Sequence, residues 1–367
     1  MKKVLKIMMT LFSLFIIFIG ICGIYMWREI GQTPSETELK SFESLPYFQN
    51  GSFQSPEPQV IDMNNVRNGN NNIFSFLRFL TRSKFAPKQP LPNEPLNRES
   101  FSKTPDMFGF YWLGHSSVIM EINGKRLLFD PVFDNAAPLP FFVPRYGDAP
   151  ISRNDLPPID LVIITHNHYD HLERKTIQAL KNSQFVVPLG VGAALRGWGV
   201  AASHITELGW GESAAGEGLT ITAEVASHFS GRQFSDRYKT LWNSYIIQSE
   251  DKNIFWAGDT GYGSHFARIG EKYGPFDLAV MEIDGWNTGW PNTHLFPEQV
   301  VQAMIDLKTV NLLPVHWGVF DLALHPWHES IDMLYEASRG YQINIIAPIM
   351  GMWADLNTET KVWWRNI

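Results

Sequence analysis

The segment Thr165-His166-Asn167-His168-Tyr169-Asp170-His171 places three of the chain's eleven histidines and one aspartate within six residues. Imidazole nitrogen and carboxylate oxygen are donors that zinc accepts together, at ~2.0–2.2 Å. His166 and His168 alternate, so an extended backbone turns both to one side. Asp170 and His171 follow a bend and can face a second ion. Four donors from one loop do not complete two tetrahedra, so other segments must add ligands. Three candidates recur in one kind of position: His228 ends LTITAEVASH, Asp259 ends IFWAGD and His316 ends NLLPVH, each at the close of an apolar run. The one cysteine, Cys22, excludes an intrachain disulfide and any cysteine-based zinc site.

The elements that must position these residues follow from the pattern around them. Leu161-Val162-Ile163-Ile164 reads as a buried strand that delivers the histidine segment into a loop, and LERKTIQALK reads as the helix after it. From about residue 106 short β-rich runs recur, among them FYWLGHSSVIMEI, RLLFD, FVVPL and DLAVMEI. Helical stretches such as SHFARIGEKYG, PEQVVQAMIDL and HESIDMLYEAS come between the later ones. That pattern predicts two sheets with helices on their outer faces, and an active edge where strands pass into loops.

The remainder of the chain sets the setting. Lys2, Lys3 and Lys6 precede 21 uncharged residues from Ile7 to Trp27, and Arg28 and Glu29 follow. A span of ~20 apolar residues crosses the hydrocarbon core. The basic flank keeps the N-terminus cytoplasmic and the body outside, with Tyr25 and Trp27 at the far interface. No small-x-small cleavage site follows, so residues 1–27 are read as an uncleaved anchor rather than a signal peptide. Residues 28–105 form a linker and N-terminal extension, holding eight of the 23 prolines before residue 105 and the run Asn68-Gly69-Asn70-Asn71-Asn72. Within it IFSFLRFLTRSKF (73–85) has a helical apolar face, suited to a membrane surface or to docking on the body. Residues 106–367 form the catalytic domain. The net charge is −7, and the only charges before residue 28 are lysines, so the body is acidic and makes a poor partner for nucleic acid.

Taken in order, WLGHSS, DPVF, LPPIDLVIITHNHYDHL, FVVPLG, HFSGR, LWNSY, FWAGDTGYG, YGPFDLA and VHWGVF resemble the metallo-β-lactamase superfamily. More narrowly they resemble its branch of N-acyl-phosphatidylethanolamine-hydrolysing phospholipases D and bacterial relatives, over about residues 106–340. The resemblance implies an α+β fold, a four-layer αββα sandwich with two zinc ions at one edge. Carried over by motif, His166, His168 and His228 hold the first zinc, Asp170, His171 and His316 the second, and Asp259 bridges both. Imidazole at position 168 favours zinc and leaves manganese and iron open. Two such ions lower the pKa of a shared water and stabilise attacking and leaving oxygens, so no protein nucleophile is needed.

The flanking residues complete the expectation. The phospholipase branch has a histidine near the substrate phosphate where His294 stands, which implies a leaving-group acid or phosphate donor. Asp130 is read as the carboxylate that orients a zinc-binding histidine, or as a turn-forming Asp-Pro. Arg232 is read as an anion contact or a surface residue. VMEIDGWNTGWPNTH departs from the branch and, following a strand, is expected at the mouth of the site: Glu282 and Asp284 add carboxylates, while Trp286 and Trp290 would line an acyl groove, touch the membrane or pack. The expected activity is hydrolysis of a phospholipid phosphodiester at the extracytoplasmic face of a membrane. The alternatives are a zinc lactonase or other ester hydrolase, and a metal-stabilised binding module.

Overall fold

The computed structural model describes residues 2–68, 83–101, 107–139 and 141–367. Most of the amphipathic stretch at 73–85 lies outside them. The chain opens with α1 (Lys2–Ile30), a single helix whose most apolar window has no residue buried against the body. It is a candidate membrane span by length and composition. Gly31, at φ +78°, ends it with the left-handed turn that glycine accepts most readily.

The proline-rich segment beyond α1 carries structure that its weak periodicity did not reveal. It forms α2 (Glu36–Ser41), whose capping box joins Ser35 to Glu38, and a ribbon of β1 (Phe48–Gln49) and β2 (Ser52–Phe53). Phe42, Phe48 and Phe53 pack with Leu241 and Trp242 of the body.

The body is two seven-stranded sheets. The first contains β3 (Gly109–Gly114), β4 (Ser117–Ile122), β5 (Lys125–Phe129), β6 (Leu161–Ile163), then α3 (Arg174–Ala179), β7 (Gln184–Pro188), α4 (Gly192–Gly197) and β8 (Ile205–Leu208). The second contains β9 (Ser213–Gly216), β10 (Leu219–Glu224), β11 (Ser244–Gln248), β12 (Asn253–Trp256), α5 (His265–Lys272), β13 (Leu278–Glu282), α6 (Pro297–Asp306), β14 (Asn311–Val315), α7 (Glu329–Ala337) and β15 (Asn344–Ile345). β16 (Trp353–Ala354) returns to pair with β3 at the edge of the first. Each sheet is antiparallel where it begins and parallel beyond: β5 to β8 in one, where a long loop joins β5 to β6 and helices join the rest, and β12 to β15 in the other, where helices make every link.

Strand alternation explains the layers. Phe110 and Trp112 of β3 join the core between the sheets, while Tyr111 and Leu113 face the opposite way, into a cluster that includes Ile177 of α3 and Leu195 of α4. With both faces covered, the strand is apolar throughout. Phe129 and Trp256 stack across the gap at 3.8 Å between ring centroids. This is the four-layer αββα sandwich expected from the sequence. Its consequence for function is geometric: β5, β6, β12, β13 and β14 all release their C-terminal ends, and the loops after them, at one edge.

Candidate metal centre

Each candidate side chain leaves a strand end at that edge. The loop after β6 supplies His166, His168, Asp170 and His171, and the segments after β10, β12 and β14 supply His228, Asp259 and His316. The donor atoms fall into overlapping groups. His166 Nε2 lies 2.8 Å from His168 Nδ1, which lies 3.3 Å from His228 Nε2. His171 Nε2 and His316 Nε2 each lie 3.5 Å from Asp170 Oδ2. Asp259 Oδ2 sits between the two groups, 3.2 Å from His171, 3.1 Å from His316, 3.8 Å from His166 and 3.7 Å from His228. Ligands ~2.1 Å from a tetrahedral ion lie ~3.4 Å from one another. The spacing therefore fits two ions with one carboxylate shared between them.

Hydrogen bonds fix which nitrogen His171 and His228 present. His171 donates its Nδ1–H to Asp130 Oδ2 at 2.9 Å, leaving Nε2 for the centre. Asp130 also accepts from the Thr165 backbone N–H and hydroxyl at 2.8 and 2.7 Å, so it is the orienting carboxylate and not merely a turn former. His228 donates Nδ1–H to the Thr293 carbonyl at 3.0 Å, and His166 Nδ1 lies 3.0 Å from the Thr165 hydroxyl. His115, Asp130 and His316 hold φ of +51°, +38° and +69°. Three non-glycine residues in the left-handed region within one site mark backbone strain that the surrounding sheets must sustain.

Electrostatics divides the cluster. Burial pushes His168 down to about 4, and His166 and His228 well below the usual histidine value, so these stay neutral and able to ligate. Burial also opposes charge on His171 and His316, but Asp259 and Asp170 outweigh it and hold both well above that value. Asp259 resists burial in turn and is held well below the carboxylate range by His171 and His316.

Two residues take roles that the sequence reading did not assign. Glu282, expected at the mouth of the site, is buried beneath it. Its Oε1 accepts from the backbone N–H groups of Thr260 and Leu295 at 3.0 and 3.2 Å, and its Oε2 lies 2.6 Å from His294 Nδ1. The available signal was its place at the end of apolar β13, the position that marked the ligands elsewhere. His115, buried, donates from Nε2 to Asp170 Oδ2 at 3.0 Å. Burial pushes it down to about 3, so it acts as a neutral donor. His294 stands with its ring 5.1 Å from that of His228 and 5.2 Å from that of His316.

Other expectations resolve differently. Arg232 is neither an anion contact nor a surface residue. It is buried, and donates to the carbonyls of Asn167 and Leu172 at 2.9 and 2.8 Å, bracing the histidine loop from behind. Trp286 is buried and stacked on His325, so it packs rather than lining a groove. Asp284 pairs with His325 at 3.0 Å, away from the ligands.

The model of a β-lactamase superfamily domain matches residues 125–317, which include every one of these ligand candidates. The chain belongs to the metallo-β-lactamase superfamily. It is a metal-dependent hydrolase of that superfamily, in keeping with a donor set of imidazoles and carboxylates. An uncharacterised protein of Mycobacterium tuberculosis is 36% identical over 336 residues, 88% of each chain. N-acyl-phosphatidylethanolamine-hydrolyzing phospholipase D 1 of Caenorhabditis elegans is 30% identical over 293 residues, 74% of this chain and 82% of that one. Among solved structures, isothiocyanate hydrolase from Delia radicum gut bacteria superposes with a TM-score of 0.55 at 20% identity, over 67% of this chain and 98% of that one. That likeness shows the shared fold of the hydrolase.

Proposed function

We propose that this hydrolase is a membrane-anchored, dinuclear zinc phosphodiesterase of phospholipase D type, acting on N-acyl-phosphatidylethanolamine-like lipids. The observation that carries the reading is Asp259 Oδ2, held within 3.8 Å of four imidazole nitrogens from both sheets. A single shared carboxylate between two donor groups suits two ions and suits one poorly. His166, His168 and His228 would hold one, Asp170, His171 and His316 the other. Bound there, such a pair supplies Lewis acidity and lowers the pKa of water.

The protein's own groups supply the remainder. His294 gives Nδ1–H to Glu282 and keeps Nε2 for the substrate. Burial raises Glu282, and Glu282 in turn raises His294, so the pair retains a proton that His294 can deliver. Water oxygen attacks phosphorus, the P–O bond to the N-acylethanolamine breaks, His294 protonates the departing oxygen, and the proton released by the attacking water goes to solvent, from which His294 is reprotonated. Phosphatidic acid and an N-acylethanolamine result.

The lipid substrate is supported by similarity to the nematode phospholipase and by the apolar length of α1. The carbonyl of Glu29 accepts from Arg232 at 2.7 Å, so the end of α1 is tied to the body. The lysines in the first turns of α1 favour a single-pass protein with its body outside the cytoplasm.

The test uses the full chain in lipid nanodiscs, zinc-loaded, beside Asp259→Asn. Mass spectrometry follows N-acyl-phosphatidylethanolamine and a panel of lactones. Phosphatidic acid formed by the unmodified protein alone upholds the proposal. Opened lactone without phosphatidic acid replaces it with the lactonase reading.

A further inference from the structure

The last turn of α1 is docked rather than free. Glu29 pairs with Arg174 at 2.6 Å, its carbonyl accepts from Arg232, and the Arg28 carbonyl accepts from Trp198 Nε1–H at 3.1 Å. These contacts satisfy C-terminal carbonyls that the helix itself leaves open. The same Arg232 reaches the histidine loop through Asn167 and Leu172, so two hydrogen-bonding steps separate the helix end from the metal centre. Beside this junction lies a cavity of about 380 Å³, lined by Tyr25 and Glu29 of α1, by Tyr169, and by Asp134, Arg145 and Asp148 from the long connection between β5 and β6.

Two phenylalanines stand out against this junction. Among the described residues outside α1, Phe141 and Phe234 are the only exposed ones, Phe141 at 40% and Phe234 fully. Phe234 is two residues beyond Arg232, which touches Glu29. Phe141 lies between Asp134 and Arg145, which share the cavity wall with Tyr25. Both loops also begin at the metal centre: one leaves Asp130, the other leaves His228, where Phe229 packs on His168 and His228. Arg237, three residues beyond Phe234, is also exposed. Exposed aromatic side chains suit a lipid–water interface, and Tyr25 and Trp27 mark that level on α1 itself.

We infer that Phe141 and Phe234 insert into the lipid surface around the end of α1, seating the mouth of the metal centre on the bilayer so that substrate enters from the lipid. The inference rests on the reading of α1 as a membrane span. It does not depend on which bond the enzyme hydrolyses.

Cys22 is the sole cysteine, so Cys22→Ser gives a background for unique spin labels. The full chain carrying Phe141→Cys, Phe234→Cys, Ile16→Cys or Tyr341→Cys is labelled and reconstituted into phosphatidylcholine–phosphatidylglycerol vesicles. Accessibility to oxygen and to a water-soluble nickel complex is then compared by power saturation. Labels at 141 and 234 should favour oxygen over nickel, less strongly than the label at 16, while the label at 341 favours nickel. Lipid exposure at 16 with water exposure at 141 and 234 would overturn the inference and leave the anchor standing. Water exposure at 16 would overturn both. Lipid exposure at 341 as well would overturn the claim that one face is seated.

Discussion

The two sheets contribute to the metal centre in different ways. The first delivers four donors through one loop, His166 to His171, released by β6. The second delivers His228, Asp259 and His316 one at a time, from strand ends separated by dozens of residues, with Glu282 and His294 beside them. A cluster within one loop is a matter of local spacing, and a chain can hold it before the sheet is complete. A ligand set spread over three strands exists only once those strands are side by side. The difference predicts that the first half sets where metal can bind, and that the second sets how many ions are held and what they do.

Asp259→Asn should have the largest effect, because its oxygen lies within 3.8 Å of two imidazoles from each half. The amide keeps the shape and removes the charge that balances His171 and His316. Hydrolysis should fall by ~10³-fold or more, given that removal of a charge from a shared electrostatic site costs several kcal/mol. Metal content by mass spectrometry should fall below two ions per chain. Two ions retained in Asp259→Asn would break the claim that this residue joins the halves. His228→Ala and His316→Ala sharpen it: each should leave one ion.

Glu282→Gln probes the second half alone. The amide can still accept from Thr260 and Leu295, but its hold on the His294 proton weakens. Turnover should fall by ~10²-fold, the usual scale for general acid catalysis, with metal content unchanged. A Glu282 variant that loses metal instead would make this carboxylate part of the ion-binding set, close as it is to His316 Nδ1 at 4.0 Å.

Legibility in the sequence follows the same division. The loop ligands were readable from spacing alone, since His-x-His-x-Asp-His after an apolar strand has few other physical reasons to exist. His228, Asp259 and His316 were readable only as ligand-type residues at strand ends, and their grouping needed the resemblance. Glu282 was misplaced because the sequence shows that a carboxylate ends a strand but not that β13 lies central in its sheet, with its end roofed by the His294 segment. Arg232 was misread for a related reason. Its three carbonyl acceptors come from positions 29, 167 and 172, and no local pattern announces contacts of that range. The two sheets were foreseen because alternation and helix periodicity are local. The packed ribbon at residues 48–53 was not, because two-residue strands have no period to read.

Asp130→Asn returns to the first half at smaller scale. The carboxylate accepts from His171 and from Thr165, and it holds the imidazole in the tautomer that ligates. Loss of such an outer partner typically costs ~10–100-fold in metal affinity. A chelator competition should therefore show one ion released at lower chelator concentration and the other retained. Equal weakening of both ions would mean that the halves are not separable at this residue.

Arg232→Lys should have the smallest effect and bears on what braces the crowded loop. A guanidinium reaches the carbonyls of Asn167, Leu172 and Glu29 from one plane, whereas an ammonium on a flexible stem cannot serve all three in that geometry. At least one buried carbonyl loses its partner, at a cost of ~1–3 kcal/mol. The detergent-solubilised full chain should unfold at lower denaturant concentration, with a larger displacement in the metal-free protein than in the loaded one, because bound ions hold the loop from its other side. An equal displacement with and without metal would show that Arg232 secures α1 to the body and leaves the histidine loop to the sheet beneath it.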